Sequence, residues 1–163
     1  MAEATQETLI QVPPLLQFGK MTEFEVGQPS IAYNIPLAAA PVTLAATSVL
    51  VSEPGDRVWL NGTVNWFVSY SGTGTVDVRF DLVRDGTVIN SVVQTLPLVF
   101  SPVAGTIQYA QATVQYVDQP LTTRGLRAVL YQLQATRVAG TFSTQATTLT
   151  TLTAAQVKAN TPL

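Results

Sequence analysis

Hydrophobic and polar residues alternate along most of the chain between about residue 42 and residue 153. In the clearest run, residues 75 to 82, apolar side chains occupy the even positions and polar side chains the odd positions. A period of two is typical of a β-strand that buries one face. Comparable runs, separated by turn residues, predict strands at 42–51, 57–70, 87–96, 106–118, 126–138 and 141–153. Helical periodicity is almost absent, so the pattern predicts an all-β fold.

Short polar and glycine-containing segments predict where the chain turns. Asp85-Gly86, between two alternating runs, is the strongest hairpin signal in the chain. Turns or loops are also predicted at 53–56, 71–74, 101–105, 119–125 and 140. Within the long run 57–70, Asn61-Gly62 predicts a bulge or tight turn. The same residues begin an Asn-Gly-Thr triplet that matches a glycosylation sequon.

About eight strands in this region indicate a jelly-roll sandwich of antiparallel strands over residues 41–153. An immunoglobulin-like sandwich is the second choice, because the cysteine pair of antibody-type domains is missing. Residues 1–40 are predicted to form an extended N-terminal arm, since five of the ten prolines fall at or before position 41. Residues 154–163 are predicted to be a short C-terminal tail with one helical turn.

The arm contains one short strand candidate, ending at Pro13-Pro14, whose residues are Thr8, Leu9, Ile10, Gln11 and Val12. The outer strands of an open sandwich present unpaired backbone groups, which proteins commonly protect with lysine, proline or bulges. This chain has only two lysines, Lys20 and Lys158. The sequence therefore predicts that residues 8–12 are a subunit contact that adds a strand to the sheet of a neighbouring copy. The alternative is that they pair with their own domain or stay disordered.

Composition excludes several classes of function. The 163 residues include no cysteine and no histidine, which removes disulfides, thiolate nucleophiles, imidazole bases and the usual zinc sites. A net charge of −2 without a basic cluster argues against nucleic acid as a partner. No apolar stretch is long enough to cross a bilayer, and the acidic start does not resemble a signal peptide. We therefore expect no enzymatic activity, no catalytic residues, no cofactor and no membrane insertion.

Carboxylates and aromatics are the remaining candidates for chemistry. Asp77, Asp81 and Asp85, with Asp56 and Asp118, are the only candidate calcium ligands, but Arg79 lies between the first two on one strand face. Cross-strand ion pairs explain that pattern without a metal, so no metal site is predicted. Glu23 and Glu25 could form an acid–base pair, but the arm offers no enclosed pocket. The aromatic side chains could form an exposed platform on which sugar rings stack, or they could pack in the core. The strand periodicity favours the core.

The run from Val76 to Ile89, with the later run from Val129 to Ala135, resembles the C1q/TNF-like jelly-roll domains of exosporium and endospore-appendage proteins of spore-forming bacteria. The resemblance covers about residues 42–153 and is one of pattern, without a diagnostic motif. It implies a protein of the spore surface or of the extracellular space that works in fibres or surface layers. A spore-surface anchor protein would then be a further partner.

Three functions follow from these observations. The first is a structural subunit of a spore-surface or extracellular fibre, a homopolymer built by N-terminal strand donation. The second is a trimeric C1q/TNF-like binding or adhesion module whose loops near Asp56, Gly72–Gly74 and Leu121–Gly125 contact a receptor or glycan. The third is a viral or phage jelly-roll coat or fibre protein. Filament and closed trimer both remain open.

Overall fold

The computed structural model describes residues 21–29, 34–120 and 124–158. In these residues the chain forms eight β-strands and no helix, so the predicted all-β class is confirmed. The strands are β1 (Met21–Gly27), β2 (Ile35–Pro36), β3 (Val42–Val51), β4 (Arg57–Arg84), β5 (Thr87–Asp118), β6 (Arg127–Ala139), β7 (Ser143–Ala146) and β8 (Thr151–Val157). Every pairing between them is antiparallel.

Two very long strands, β4 and β5, pair along most of their length and pass from one sheet of the sandwich into the other, while residues 102–105 of β5 lie outside the ladder at the bend. The first half of β4 pairs with β8 and β7, and its second half pairs with β6. The ladder between β4 and β5 shifts register on both sides of Gly72, where the strands bend. The predicted turn at Ser71–Gly74 is therefore a bend within one strand, because the chain changes sheets there without reversing direction.

The strand order is that of a jelly roll. One sheet, here called the front sheet, contains β1 and β2, then β8 and β7, then the first half of β4 and the second half of β5. The back sheet contains β3, β6, the second half of β4 and the first half of β5. If β1 and β2 are counted as one strand, β7 and β8 as one, and each half of β4 and β5 separately, the chain has eight strands. Numbered anew along the chain, they have the order 1-8-3-6 in the front sheet and 2-7-4-5 in the back sheet. This is an eight-stranded double sheet, as predicted.

The alternation in the sequence produces the core directly. All seven even-numbered residues from Val58 to Tyr70 are buried, and so are the even residues from Val76 to Leu82. Facing side chains of β3, β6 and β8 complete one apolar cluster, in which Trp66, Tyr131, Phe80, Leu60 and Leu133 are among the largest. Each such aliphatic or aromatic side chain contributes about 1.5–3 kcal/mol through burial.

The hairpin prediction at Asp85-Gly86 is confirmed. Arg84 pairs with Thr87, and the two residues between them have φ values of 46° and 84°. Positive φ at both central positions is the mark of a type I′ turn, whose twist matches the flanking strands.

Three local predictions are wrong. Asn61-Gly62 is neither a bulge nor a turn, since the β4–β5 register is regular there. Gly62 instead lets Leu133 pack closely, because a Cβ at this position would lie 3.0 Å from the Leu133 Cδ2. The single strand predicted at 141–153 is interrupted by residues 147–150, which loop out between β7 and β8. Residues 154–157, predicted to belong to the C-terminal tail, continue β8 as strand.

Candidate assembly surface

A sandwich of two open sheets has two sides on which strand edges meet, and here the first side is formed by β1 and β3. The Glu23 carboxylate accepts a hydrogen bond from the Leu50 N–H at 3.0 Å. Further along, Gly27 lies so close to β3 that a Cβ on it would be 2.2 Å from the Ala46 carbonyl oxygen. Glu23 therefore covers a strand edge, and Glu25 is exposed. Residues 21–27, within the predicted arm, form the edge strand of their own sheet.

On the second side, the two halves of β5 face each other and are joined by side-chain amides. The Asn90 amide donates to the Gln115 carbonyl oxygen and the Gln94 amide to the Gln111 carbonyl oxygen, both at 3.0 Å. The Gln108 amide donates to the Pro97 carbonyl oxygen at 3.2 Å. These three bonds, here called the amide rungs, hold the sheets together where no backbone ladder joins them.

Gln94 also connects the rungs to the core. Its Oε1 accepts a hydrogen bond at 2.9 Å from the indole N–H of Trp66, which is fully buried. One glutamine thus satisfies a buried donor with its oxygen and joins the facing strand with its nitrogen. A buried donor left without such a partner costs about 1–3 kcal/mol.

The outward surface of β5 is apolar and almost free of charge. Among its 32 residues only Asp118 has a side chain that is charged at neutral pH, and Asp118 is buried. The exposed large apolar side chains of this strand are Val88, Val92, Val93, Val99, Phe100, Val103, Ile107, Tyr109, Tyr116 and Val117. Exposed apolar surface marks interaction sites in soluble proteins, and depletion of charge is typical of interface cores. The sequence pattern predicts the strand positions, but it does not show that these side chains share one strand at the edge of both sheets.

The predicted subunit-contact residues, Thr8 to Val12, lie outside the described residues. The loops named for a receptor-binding trimer are placed in part. Asp56 is buried, where its carboxylate accepts hydrogen bonds from the Glu53 N–H and the Gln156 amide. Gly72 and Gly74 belong to the bend of β4, and Leu121 to Thr123 lie outside the described residues. Asp56 is therefore not available to a receptor.

Asp81 and Asp85 form ion pairs, but Asp81 pairs with Arg79 of its own strand and not across strands as predicted. Asp81 accepts from Arg79 Nε at 3.0 Å and also from the Ser91 hydroxyl. Asp85, in the hairpin, pairs with Arg127. Asp77 is not part of these pairs, because Arg79 turns to Asp81 instead. Over the ranges 21–29, 34–120 and 124–158, no three acidic side chains come together in a way that could hold a metal ion.

A buried cluster of Arg84, Asp118 and Tyr131 ties the two sheets together at one end of the sandwich. Arg84 Nη1 lies 2.7 Å from Asp118 Oδ1, and the Tyr131 hydroxyl donates to Asp118 Oδ2 at 2.8 Å. Asp118 ends the front-sheet half of β5, whereas Arg84 and Tyr131 belong to the back sheet. Burial, followed by the hydrogen bond to the Asp118 carboxylate, raises the pKa of Tyr131 well above its usual value near 10.

The raised pKa of Tyr131 predicts a loss of stability in alkali. Above about pH 10 the unfolded tyrosine ionises while the folded one keeps its proton, so the free energy of unfolding falls by up to about 1.4 kcal/mol per pH unit. Below pH 10 both states hold the proton and the contribution is constant. Urea unfolding between pH 8 and pH 11.5 measures this slope, and Tyr131→Phe should lack this part of it. Equal slopes in the two proteins would contradict the prediction.

The aromatics divide between core and surface. Trp66 and Tyr131 are fully buried and Tyr70 nearly so, as the core interpretation predicted. Trp59 and Tyr109 point outward, with exposed fractions of 48% and 70%. Trp59 is odd-numbered in a strand whose even positions are buried, so its position in the alternation was a signal for exposure. The chain has no helix in its described parts, and hence none there that could cross a membrane.

Comparisons with known proteins find similarity in structure alone. No family model and no curated protein matches this chain. A chain of the infectious bursal disease virus particle aligns over 94% of this chain and 35% of its own length, with 13% identity and a TM-score of 0.47. PorU from Porphyromonas gingivalis aligns over 90% of this chain and 14% of its own, with 12% identity and a TM-score of 0.43.

A third similar structure is CBM35 from Cellvibrio japonicus, which aligns over 81% of this chain and 92% of its own, with 17% identity and a TM-score of 0.25. This chain spans about a third of the viral chain that it matches.

Proposed function

We propose that this chain is a structural jelly-roll subunit that assembles with copies of itself. The observation that carries the proposal is β5, an edge strand of both sheets whose outward surface is rich in apolar side chains and whose only charged side chain is buried. A second copy suits this surface because it brings no charge that would have to be desolvated. A net charge of −2 also leaves little long-range repulsion between copies. The absence of histidine and cysteine supports a structural rather than a catalytic role.

Strand donation by Thr8 to Val12 is the finer part of the proposal. Residues 13–20 separate this segment from β1, and eight residues span at most about 30 Å when extended. The segment can thus reach the β5 edge of an adjacent copy. There its backbone would replace the amide rungs at Gln111 and Gln115, exchanging side-chain bonds for a backbone ladder. Repeated between copies, this contact does not close, so it builds a fibre, which we place on a spore surface or in the extracellular space.

Lysine substitutions on β5 test the surface. Ile107→Lys and Val93→Lys are expected to weaken assembly at least about tenfold each, because an ammonium group would be buried without a partner. Leu149→Lys is the matched control, since Leu149 is 73% exposed on the turn between β7 and β8. Sedimentation velocity measures the size distribution, and negative-stain microscopy distinguishes fibres, closed trimers and shells. Assembly that is equally strong in all three variants would refute the proposal.

A proline in the arm tests strand donation separately. Ile10→Pro removes a backbone N–H from the predicted donor strand and should abolish fibres, whereas Ala4→Pro, outside residues 8–12, should not. If Ile10→Pro leaves the fibres unchanged while Ile107→Lys removes them, the copies associate through the β5 surface without a donated strand.

A further inference from the structure

One row of side chains on the outer face of the front sheet is apolar across four strands. Phe24 of β1 pairs with Ala155 of β8, Ala155 pairs with Trp59 of β4, and Trp59 pairs with Val117 of β5. Residues paired in this way point to the same side of a sheet. Val26 lies in the next row of the same face, opposite Thr153.

The four large side chains of this Trp59 patch (Phe24, Val26, Trp59 and Val117, with Ala155 between them) are each about half exposed. Their exposed fractions are 58%, 48%, 48% and 54%, while Ala155 is buried beneath them at 3%. The patch is continuous with the β5 surface through Val117. It is uncharged, and its neighbours along the strands are the polar Asn61 and Gln115 on one side and Arg57 on the other.

The size of the patch matches what a pair of identical copies needs. Its exposed apolar area is roughly 400 Å², from two aromatic and two valine side chains. Two copies in contact would bury about 800 Å² of apolar area, and at the usual apolar share of about 60% the whole interface would measure about 1,300 Å². Stable protein interfaces start near 1,200 Å².

We propose that the Trp59 patch is a second contact between copies, in which two front sheets pack face to face about a two-fold axis. An interface of this kind uses the same patch on both partners, so an uncharged patch meets no like charge. Trp59 lies in its centre, where aromatic anchors carry most of the binding energy. The inference rests on the proposed function, since both require self-association, and adds a closed lateral contact to the open contact at β5.

Tryptophan fluorescence of the full chain tests this contact directly. The chain has only two tryptophans, and Trp66 is buried, so quenching by acrylamide reports on Trp59. We expect quenching of Trp59 to decrease as protein concentration rises and dimers form in sedimentation. Trp59→Glu should weaken dimer formation by at least about thirtyfold, the effect of losing a central aromatic anchor. Leu149→Glu, far from the patch, should leave it unchanged.

The outcomes separate this inference from the proposed function. Dimers that protect Trp59 and persist in Ile107→Lys would support the patch even if no fibre forms. Fibres or trimers in which Trp59 stays fully quenchable would overturn the patch and leave the proposed function standing. A chain that stays monomeric at every concentration would overturn both. Protection of Trp59 by soluble xylan in the monomer would assign the patch to a glycan and also overturn the inference.

Discussion

Replacing Trp66 with alanine is expected to lower the free energy of unfolding by about 3–5 kcal/mol, one of the two largest effects that we predict. Trp66 is fully buried, packs against Phe80 with ring centroids 6.1 Å apart, and donates its indole N–H to Gln94. The substitution leaves a cavity between the sheets and removes a hydrogen bond that positions Gln94 for its rung to Gln111. Urea unfolding, followed by circular dichroism, measures the change.

Trp59→Ala is the matched control for this prediction. Both tryptophans lie on β4, seven positions apart, so they point to opposite faces of the strand. Removing Trp59 from the monomer should change the free energy of unfolding by less than about 0.5 kcal/mol, as for most surface substitutions. Similar losses in the two variants would mean that the core does not depend on the Trp66 position.

The strands could be predicted because one face of each is buried. β3 begins and ends where the alternation predicted, at Val42 and Val51. The even residues of β4 are buried from Val58 to Tyr70 and again from Val76 to Leu82, so the period is kept on both sides of the bend at Gly72. Burial acts on every second residue of a strand, and that is why local pattern was enough to place these elements.

The sequence did not predict where a strand continues through a glycine-rich segment or where a threonine-rich segment leaves the sheet. Ser71 to Gly74 has turn composition, yet β4 runs through it because β5 bends alongside and supplies hydrogen-bond partners. The threonine-rich segment 141–153 shows the opposite case, because its composition predicted one continuous strand. In the structure the Thr147 N–H donates to the Asn65 carbonyl oxygen, and residues 147–150 loop out. In both cases a residue distant in sequence decided the local structure, which propensity does not report.

The sequence predicted that an unprotected strand edge exists, but not which strand forms it. The scarcity of lysine indicated that strand edges would be unprotected by charge, and β5 has this property over its whole length. The amide rungs could not be inferred, because Asn90 and Gln115 are 25 positions apart and meet only when both sheets have formed. The side chains that guard this edge are therefore glutamine and asparagine, which the usual composition rules for edge strands do not include.

The Arg84, Asp118 and Tyr131 cluster is much more buried than the ion pair of Arg124 and Glu53. The Asp118 side chain is 5% exposed and that of Arg84 is 31% exposed, whereas Arg124 and Glu53 are 84% and 47% exposed. Exposed pairs contribute little, because water screens the charges and two long side chains must be ordered. Removing one partner of a buried pair leaves the other without compensation, and that cost is much larger.

Asp118→Ala is therefore expected to lower the free energy of unfolding by about 3 kcal/mol, since it leaves the Arg84 guanidinium and the Tyr131 hydroxyl without their acceptor. Glu53→Ala, which breaks only the exposed pair with Arg124, should change stability by less than about 1 kcal/mol. Urea unfolding at pH 7 compares the two variants. Repeating the measurement at pH 11 adds a second criterion. Because Tyr131 owes part of its raised pKa to the Asp118 carboxylate, the free energy of unfolding of the Asp118→Ala protein should fall less steeply as the pH rises into the alkaline range. Equal losses in the two variants at pH 7 would show that the cluster does not tie the sheets together.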